Sequence, residues 1–472
     1  MAGRRHRPGY YDALSKSRRN VRVLSSYADD KSFSYPSRRF RWVFCQLEVL
    51  RHCFPPSVRR TLGELPESLD GTYERVLKEI RMANRTHAHR LLQCLAVAVR
   101  PLRVEELAEV LAFDFNAQGT PRLNPGWRWE DQEEAVLSAC SSLVAVVNQG
   151  HSRVVQFSHF SVKEFLMSKR LAESDMNVSR YHVRHHPAHL VLAQACLGTL
   201  LRLNHQHIDE DNIKDFPLAA YAAEHWASHA RFGKVSLRVK DGMQRLFDAE
   251  KPHFAAWLWI YNPDRFGRTF GMRPGRPEAR PLYYAARFGF RNLVKHLLIK
   301  YLGDVNARGG WDGTPLHAAL SEGHIEVASL LLKCGAEVNI QDIWDGTPLH
   351  YASKRGRVDI GRWLLDSGAD ANARNGTGWT PLHLAATHGR PEFTRMLLEH
   401  EAEVNTRAAN GGRTPLHLAL ANGRIEVARV LLQHGANVNA RDDWDRATWG
   451  SEPRRLRLEV LQLLSEYGAE LV

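Results

Sequence analysis

The chain has 472 residues, of which 44% are hydrophobic and 25% charged, with a formal net charge of +12. This balance is typical of a globular protein, and the length allows two or three domains. No apolar run approaches the roughly 20 residues of a membrane-spanning helix, and the N-terminus lacks the apolar stretch of a secretory signal. The six cysteines form no C-x-x-C pair, which predicts reduced core thiols in an intracellular, cytoplasmic protein.

The positive charge is concentrated at the start of the chain. Residues 1–60 hold 14 Lys and Arg but 4 Asp and Glu, so +10 of the net +12 lies there. We predict that residues 1–40 form a basic, disordered leader. A basic tail can also attract nucleic acid or an acidic membrane, and that alternative stays open.

Residues 67–175 are predicted to form a winged-helix domain. A hairpin signal, Gln149-Gly150-His151, lies between two apolar strands, and three helical stretches precede it. In chain order the predicted elements are helices over 67–98, 104–111 and 135–142, strands over 143–148 and 154–158, and a further helix over 159–166.

Residues 176–275 are predicted to be a helical bridge, with helices over 190–203 and 216–230. Its histidines have spacings that metal ligands could use: His182, His185, His186, His189, His225 and His229. No Cys or Asp joins the first four in sequence, and the last two lack the H-E-x-x-H order of a zinc protease. We therefore assign no metal and expect these residues on helix surfaces or at polar core positions.

Residues 280–472 contain a tetrapeptide, Thr-Pro-Leu-His, in four copies that stand 33, 33 and 34 residues apart. A fixed period of this length indicates stacked supersecondary units that share one core. In each unit Thr can cap a helix, Pro suits the first helical position, and a later Gly can end the helix in a left-handed conformation. The repeat-defining residues are Thr314, Pro315, His317, Gly323, Thr347, Pro348, His350, Gly356, Thr380, Pro381, His383, Gly389, Thr414, Pro415, His417 and Gly423.

These units resemble ankyrin repeats, which share the T-P-L-H motif, the central Gly, the paired Leu and the G-A-x-V-N segment. The resemblance implies six helix–turn–helix units, the terminal ones degenerate, with finger loops that project at one edge. It also implies that the four histidines bond neighbouring loops, so they receive no metal-binding or catalytic role. Glu401 stands where other copies have Gly335, Gly368 and Gly435, and must accept strain or a different cap.

Tryptophans recur in the predicted fingers. Trp311, Trp344 and Trp444 occupy one finger position, and Trp379 lies nearby in its own finger. Exposed Trp residues are frequent interface anchors, which makes these four the candidate partner-binding residues. Alternatively, each indole packs on the neighbouring finger and is structural.

A second resemblance covers the N-terminal half. The stretches Phe40-Arg41-Trp42-Val43-Phe44-Cys45-Gln46-Leu47 and Leu65-Pro66-Glu67-Ser68-Leu69-Asp70-Gly71-Thr72-Tyr73 look like the segment after the nucleotide-binding core of fungal NACHT–ankyrin (STAND-type) proteins. The winged helix and Phe157-Ser158-His159-Phe160-Ser161-Val162-Lys163-Glu164-Phe165-Leu166 fit the same group. The resemblance implies that residues 41–66 are a helical remnant after such a core, and that the winged helix is a hinge.

The nucleotide core itself is not recognisable in the sequence. A P-loop needs G-x-x-x-x-G-K-[ST], but the one Gly-Lys pair, Gly233-Lys234, has Ser228 at the first Gly position and Val235 at the Ser/Thr position. The winged-helix module is often labelled after GPI inositol-deacylase, yet the sequence has no G-x-S-x-G nucleophile elbow. We therefore predict no cofactor and no enzyme activity.

The predicted fold class is mostly α: a helical and winged-helix N-terminal half, then an ankyrin α-solenoid. The predicted function is a protein-interaction scaffold or sensor whose repeats bind a partner protein. One alternative is nucleic-acid binding, but the approach to the third helix, Glu130-Asp131-Gln132-Glu133-Glu134, repels phosphate and the wing offers one cation, Arg153. The other is a partial STAND ATPase that acts with another chain.

Overall fold

The computed structural model describes residues 68–116, 120–140, 142–264, 280–310, 313–409, 411–443 and 457–469. The described residues are mostly helical, as predicted, and the chain divides into two compact units. The first unit comprises residues 1–202 and 209–242, and the second comprises 203–208 and 243–472. The predictions for residues 1–40 and 41–66 lie outside the described residues, and the other predicted domain boundaries stay predictions.

The first unit contains the winged helix and the helices that follow it. Its elements are α1 (Leu69–Glu79), α2 (Arg85–Val97), β1 (Leu102–Arg103), α3 (Val104–Leu111), β2 (Phe113–Asp114), β3 (Arg122–Leu123), α4 (Gln132–Cys140), β4 (Val144–Gln149), β5 (Ser152–Phe157), α5 (Phe160–Leu166), α6 (Lys169–Ala172), α7 (Met176–Ser179), α8 (His185–Leu200), α9 (Ala219–Ala230) and α10 (Val235–Arg238).

The wing is an antiparallel hairpin of β4 and β5, which turns at Gly150 with φ +59°. The predicted hairpin and α3 agree with the structure to within two residues. Other features differ from the prediction: α4 begins at Gln132 and not at residue 135, and α8 spans His185–Leu200 and not 190–203. The helical stretch over 67–98 is interrupted by a 3-10 turn at Met82–Asn84, and β1, which pairs with β5, was not predicted because two residues carry no period-2 pattern.

Two buried carboxylates hold α3 in place. Glu106 is fully buried and accepts hydrogen bonds of 2.7 and 2.8 Å from Arg100, and of 2.8 and 3.0 Å from Arg103. Burial alone would raise the pKa of Glu106, but these donors outweigh it and hold the pKa below its ordinary value. Glu109 is bound at 2.9 and 2.7 Å by Arg128 and at 3.3 Å by Arg202.

The second unit consists of helices. They are α11 (Lys240–Leu246, which begins in the first unit), α12 (Pro252–Ile260), α13 (Pro281–Arg287), α14 (Arg291–Lys300), α15 (Pro315–Glu322), α16 (Ile325–Lys333), α17 (Pro348–Arg355), α18 (Val358–Asp366), α19 (Pro381–His388), α20 (Pro391–Glu399), α21 (Pro415–Ala421), α22 (Ile425–Gln433) and α23 (Arg457–Glu466). From α13 to α22 they form five helix pairs.

The first helices of successive pairs stack on one another through buried leucines. Each starts at Pro in the first helical position after a capping Thr or, in α13, Arg280. The leucine that follows the proline is at most 1% exposed in every pair: Leu282, Leu316, Leu349, Leu382 and Leu416. Burying a side chain of this size stabilises the fold by about 1.5–3 kcal/mol, so this row is the continuous core of the array.

The glycines that end the first helices serve two purposes. Gly356 and Gly389 have φ values of +70° and +68°, which L side chains rarely adopt. A Cβ on Gly356 would also lie 2.6 Å from Cδ of Arg390, and one on Gly389 would lie 2.7 Å from Cδ of Arg424. The arginine that directly follows the glycine of one repeat therefore packs over the glycine of the preceding repeat: Arg390 over Gly356, and Arg424 over Gly389.

A buried aspartate caps the start of the array. Asp264 is 6% exposed and accepts hydrogen bonds from Tyr284 at 2.8 Å, Tyr283 at 3.3 Å and Arg287 at 2.6 Å. In α12 the indole of Trp257 contacts the ring of Tyr284 edge-on, with centroids 5.7 Å apart. The first repeat is thus completed by residues that precede it in sequence.

The cysteine prediction is confirmed for Cys94, Cys140 and Cys196, which are buried free thiols. It is wrong for Cys334, which is exposed because it stands just after the last residue of α16.

Of the two alternatives predicted for Glu401, strain or a different cap, the structure shows the first: the residue is left-handed, with φ +63°. The equivalent Gly335, Gly368 and Gly435 have φ between +83° and +90°. A Cβ on any of these three glycines would meet nothing within 4 Å, so the position penalises side chains through the backbone alone. Glu401 therefore carries conformational strain without a steric clash.

We predict that Glu401→Gly stabilises the array by about 1 kcal/mol, because the left-handed backbone costs a non-glycine residue about that much. The free energy of unfolding, measured by urea denaturation, is the readout. The matched control is Gly335→Ala, which should destabilise the array by a similar amount. A loss of stability in Glu401→Gly would contradict the strain.

Candidate functional site

The histidines of three Thr-Pro-Leu-His motifs, His317, His350 and His383, each join two repeats. In α19, Nδ1 of His383 accepts a hydrogen bond from the backbone N–H of Thr380 at 3.0 Å and lies 2.9 Å from its hydroxyl. The opposite ring nitrogen, Nε2, donates to the carbonyl oxygen of Arg413 at 3.1 Å. His317 and His350 make the same two contacts. Each accepts from the N–H of its own Thr, and Nε2 donates to the carbonyl of Gly346 at 3.0 Å in His317 and of Trp379 at 2.9 Å in His350.

These contacts require the neutral imidazole. Burial is the main cause that lowers the pKa of His383 from 6.5 to about 4, although the carbonyl of Arg413 acts in the opposite direction. Burial lowers the pKa of His350 as well. The rings of His350 and His383 are therefore uncharged at neutral pH.

A row of asparagines connects each finger to the C-terminal end of the second helix in the next unit. The amide nitrogen of Asn339 donates to the carbonyl of Gly368 at 2.9 Å, and its oxygen accepts from the N–H of Asp370 at 2.9 Å. The equivalent asparagines donate in the same way to the carbonyl that lies about 30 residues later in the chain. They are Asn306, Asn372, Asn405 and Asn439, and their acceptors are Gly335, Glu401, Gly435 and Gly468.

The finger of residues 342–346 is built around a buried carboxylate. Asp342 is 4% exposed and accepts hydrogen bonds of 2.7 Å from the N–H groups of Trp344 and Gly346, and of 2.6 Å from the hydroxyl of Tyr351. The carbonyl of Trp344 accepts from the N–H of Gly376 in the next finger at 2.8 Å. The tip is held by backbone contacts, which leaves Ile343 62% and Trp344 49% exposed.

A cleft of about 560 Å³, here called the finger cleft, lies beside this tip. Its walls come from the first helices of four successive repeats and from the finger itself. The lining residues that matter for binding are Trp344, Tyr351, Lys354, Arg355 and Glu322. Lys354 and Arg355 are exposed and form no ion pair with any described residue. The cleft therefore offers aromatic surface together with positive charge.

The structure places two of the four candidate tryptophans. Trp344 lines the finger cleft, whereas Trp379 is half-buried and stacks on the ring of His383 with centroids 6.1 Å apart. Trp311 and Trp444 lie outside the described residues. The sequence interpretation missed Ile343, although an apolar residue at the finger position that holds Gly310 and Gly376 in neighbouring repeats was an available signal.

The histidines of the first unit form a hydrogen-bonded chain. Nδ1 of His189 lies 2.9 Å from Nδ1 of His229, whose Nε2 lies 2.8 Å from the hydroxyl of Tyr221. Burial is the main cause that lowers the pKa of His189 to about 4 and that of His229 to about 3. Among the described residues, no cluster of three or more His, Cys, Asp or Glu side chains could hold a metal ion.

Comparison with known proteins agrees with this architecture. Residues 73–179 match the family model described as the GPI inositol-deacylase winged helix domain, and residues 282–375 and 349–442 match the model of ankyrin repeats. The chain carries a GPI inositol-deacylase-type winged helix followed by ankyrin repeats. Ankyrin repeats support a role in protein interaction.

A curated relative also matches. It is the "Azaphilone pigments biosynthesis cluster protein L" of Monascus ruber, which is 34% identical over 291 residues that cover 57% of this chain. The match covers 59% of that relative, so the chain spans less than two thirds of its length. Within the described part of the chain, no helix is both long and apolar enough to cross a lipid bilayer.

We predict that acid destabilises the array through His383. Because the folded pKa lies below the unfolded value of 6.5, the unfolded chain binds more protons between pH 6.5 and 4. Stability is therefore intact above pH 6.5 and falls by about 3 kcal/mol as the pH drops to 4. Urea denaturation at several pH values should show an acid-induced loss that is about 3 kcal/mol smaller in His383→Gln than in the wild type, because the loss that remains comes from other groups such as His350.

His388→Gln is the control for this prediction. His388 lies on the same helix, is half-buried, and its Nδ1 contacts the carbonyl of Leu384 in that helix. This variant should keep the wild-type pH dependence. An identical pH dependence in His383→Gln and the wild type would show that the buried imidazole does not cause the loss.

Proposed function

We propose that the protein is a non-enzymatic interaction scaffold, and that the finger cleft of its ankyrin repeats binds a partner protein. The observation that carries the proposal is the exposed pair Ile343 and Trp344 on a tip that Asp342 holds rigid. A large apolar side chain presented in a fixed position loses little conformational entropy when a partner covers it.

The charges of the finger cleft indicate what the partner presents. Lys354 and Arg355 extend from α17 into the cleft, while Asp342 is occupied by Tyr351 and two N–H groups. Glu322 lies 3.7 Å from Arg287, which also binds Asp264. The cations of α17 are therefore the charges that remain for a partner, and we expect an acidic side chain next to an apolar one in its bound segment.

For the winged helix we propose a regulatory, hinge-like role. Its one wing cation, Arg153, forms an ion pair with Glu133 of α4, which leaves that face acidic. Such a face disfavours the phosphate contacts that supply most of the affinity for DNA. A role in regulating the repeats suits this chemistry better than binding to nucleic acid.

The relative suggests where to look for the partner. That protein is named for an azaphilone pigment biosynthesis cluster. We propose that proteins encoded with this chain are the first candidates, and that the interaction organises them without a covalent step on this chain.

Binding should depend on the finger tip. We predict that the double variant Ile343→Ala and Trp344→Ala weakens partner binding by about 30-fold or more, since a Trp at an interface contributes about 2 kcal/mol. The free energy of unfolding should change by less than about 1 kcal/mol, because the tip is fixed by backbone groups that alanine retains. The full chain serves as bait, mass spectrometry identifies the partner, and calorimetry with the purified partner gives the Kd.

The matched control is Ile299→Ala. Ile299 is 71% exposed on α14 and does not line the finger cleft, so the variant should bind as the wild type does. Equal Kd values for the double variant and the wild type would refute this binding site. A double variant that loses binding together with most of its stability would assign Ile343 and Trp344 to structure instead.

A further inference from the structure

The winged-helix domain contains a second open groove, of about 700 Å³, at the start of α4. We call it the tryptophan groove. Its residues used below are Trp127, Trp129, Glu130, Asp131 and Glu134. All of its lining residues belong to the first compact unit.

The indoles in this groove are unusually open. Trp127 is 44% and Trp129 is 53% exposed, and Met82, next to the groove residue Ala83, is 81% exposed. Tryptophan is highly buried on average, so two exposed indoles in one concave site are typical of a binding surface.

The side chains that line the groove carry a net negative charge. Arg128 stands between the two tryptophans, but Glu109 binds it at 2.9 and 2.7 Å and the carbonyl of Asp215 accepts from it at 3.0 Å. Its charge is therefore already matched. Glu130 and Glu134 are exposed and form no ion pair with any described residue.

Indole faces attract cations, and a carboxylate beside them strengthens the attraction. A guanidinium over a Trp face contributes about 0.5–2 kcal/mol, and its planar donors also match a carboxylate. The chemistry of the groove therefore selects a chain segment that carries arginines close together.

We propose that the occupant is this chain's own basic segment, Arg38-Arg39-Phe40-Arg41. It carries three of the 14 Lys and Arg found in residues 1–60, a region with 4 Asp and Glu. Its charge is opposite to that of the groove, and its phenylalanine supplies apolar surface for the indoles.

The segment can reach the groove. From Ser68 to Ala83 the path consists of α1, which is about 16 Å long, and a few further residues, so the two ends are at most about 25–30 Å apart. The 26 residues from 42 to 67 span about 28 Å as a flexible chain and about 39 Å as a helix. A tether that matches its span gives an effective concentration in the millimolar range, so a weak contact suffices.

Hydroxyl-radical footprinting of the full chain tests the proposal, with oxidation at each Trp quantified by mass spectrometry. In the variant Arg38→Glu, Arg39→Glu and Arg41→Glu, oxidation of Trp127 and Trp129 should rise about threefold or more, since the attraction between the segment and the groove becomes a repulsion. Adding Glu130→Arg and Glu134→Arg to that variant should restore the protection by reversing the charges on both sides. Asp131 is left unchanged because it caps α4 through the N–H groups of Glu133 and Glu134.

The matched control is Arg231→Glu, Lys234→Glu and Arg238→Glu, three exposed cations of the same unit that do not line the groove. It changes the net charge equally and should leave the footprint as in the wild type. The fully buried Trp226 reports that each variant is folded. Equal oxidation of Trp127 and Trp129 in the wild type and the arginine variant overturns the proposal. So does protection that grows with protein concentration, which would mean that a second copy fills the groove.

Discussion

The imidazoles at the start of three successive repeats are the contacts on which the rest of the array depends. One ring nitrogen closes the first turn of its own helix, and the other donates to a carbonyl of the next repeat at 2.9–3.1 Å in His317, His350 and His383. A single tautomer satisfies both, so the beginning of one helix and the finger of the following repeat are fixed by the same group. Because the pairs that begin with His317, His350 and His383 each donate to the next repeat, they stabilise one another as a stack, and the cleft that draws on them keeps its shape.

The local parts of this architecture could be predicted from the sequence. The motif at Thr314 and Pro315 and its copies predicted the start of four first helices, and Glu401 was predicted to accept strain or a different cap, because both depend on backbone preferences within a few residues. The contact of Arg390 over Gly356 could not be predicted, since it joins residues in different repeats through the path of the whole chain. Ile343 was missed for a related reason: its exposure follows from the way Asp342 folds the finger, and no periodic pattern records that.

The two proposed binding surfaces combine aromatic side chains with charges of opposite sign. The finger cleft places Trp344 and Tyr351 beside Lys354 and Arg355, whereas the tryptophan groove places its indoles beside carboxylates. Aromatic side chains supply contact area in both, and the neighbouring charge decides which segment fits. In each case the charges that could have cancelled the preference are occupied elsewhere: Asp342 by its finger, and Arg128 by Glu109.

The aspartate cap at the start of the array has a consequence for how such a protein changes over evolution. Interior repeats present the same imidazole, asparagine and glycine contacts on both sides, so duplication or deletion of one leaves the neighbours compatible. The first repeat is different, because its Tyr283, Tyr284 and Arg287 all donate to Asp264, which precedes the repeating segment. Deletion of that repeat would leave the buried carboxylate of Asp264 without these donors. A copy of it in the interior would leave its tyrosines without their acceptor. We therefore expect the number of interior repeats to vary during evolution. The first repeat should be retained together with the residues that precede it.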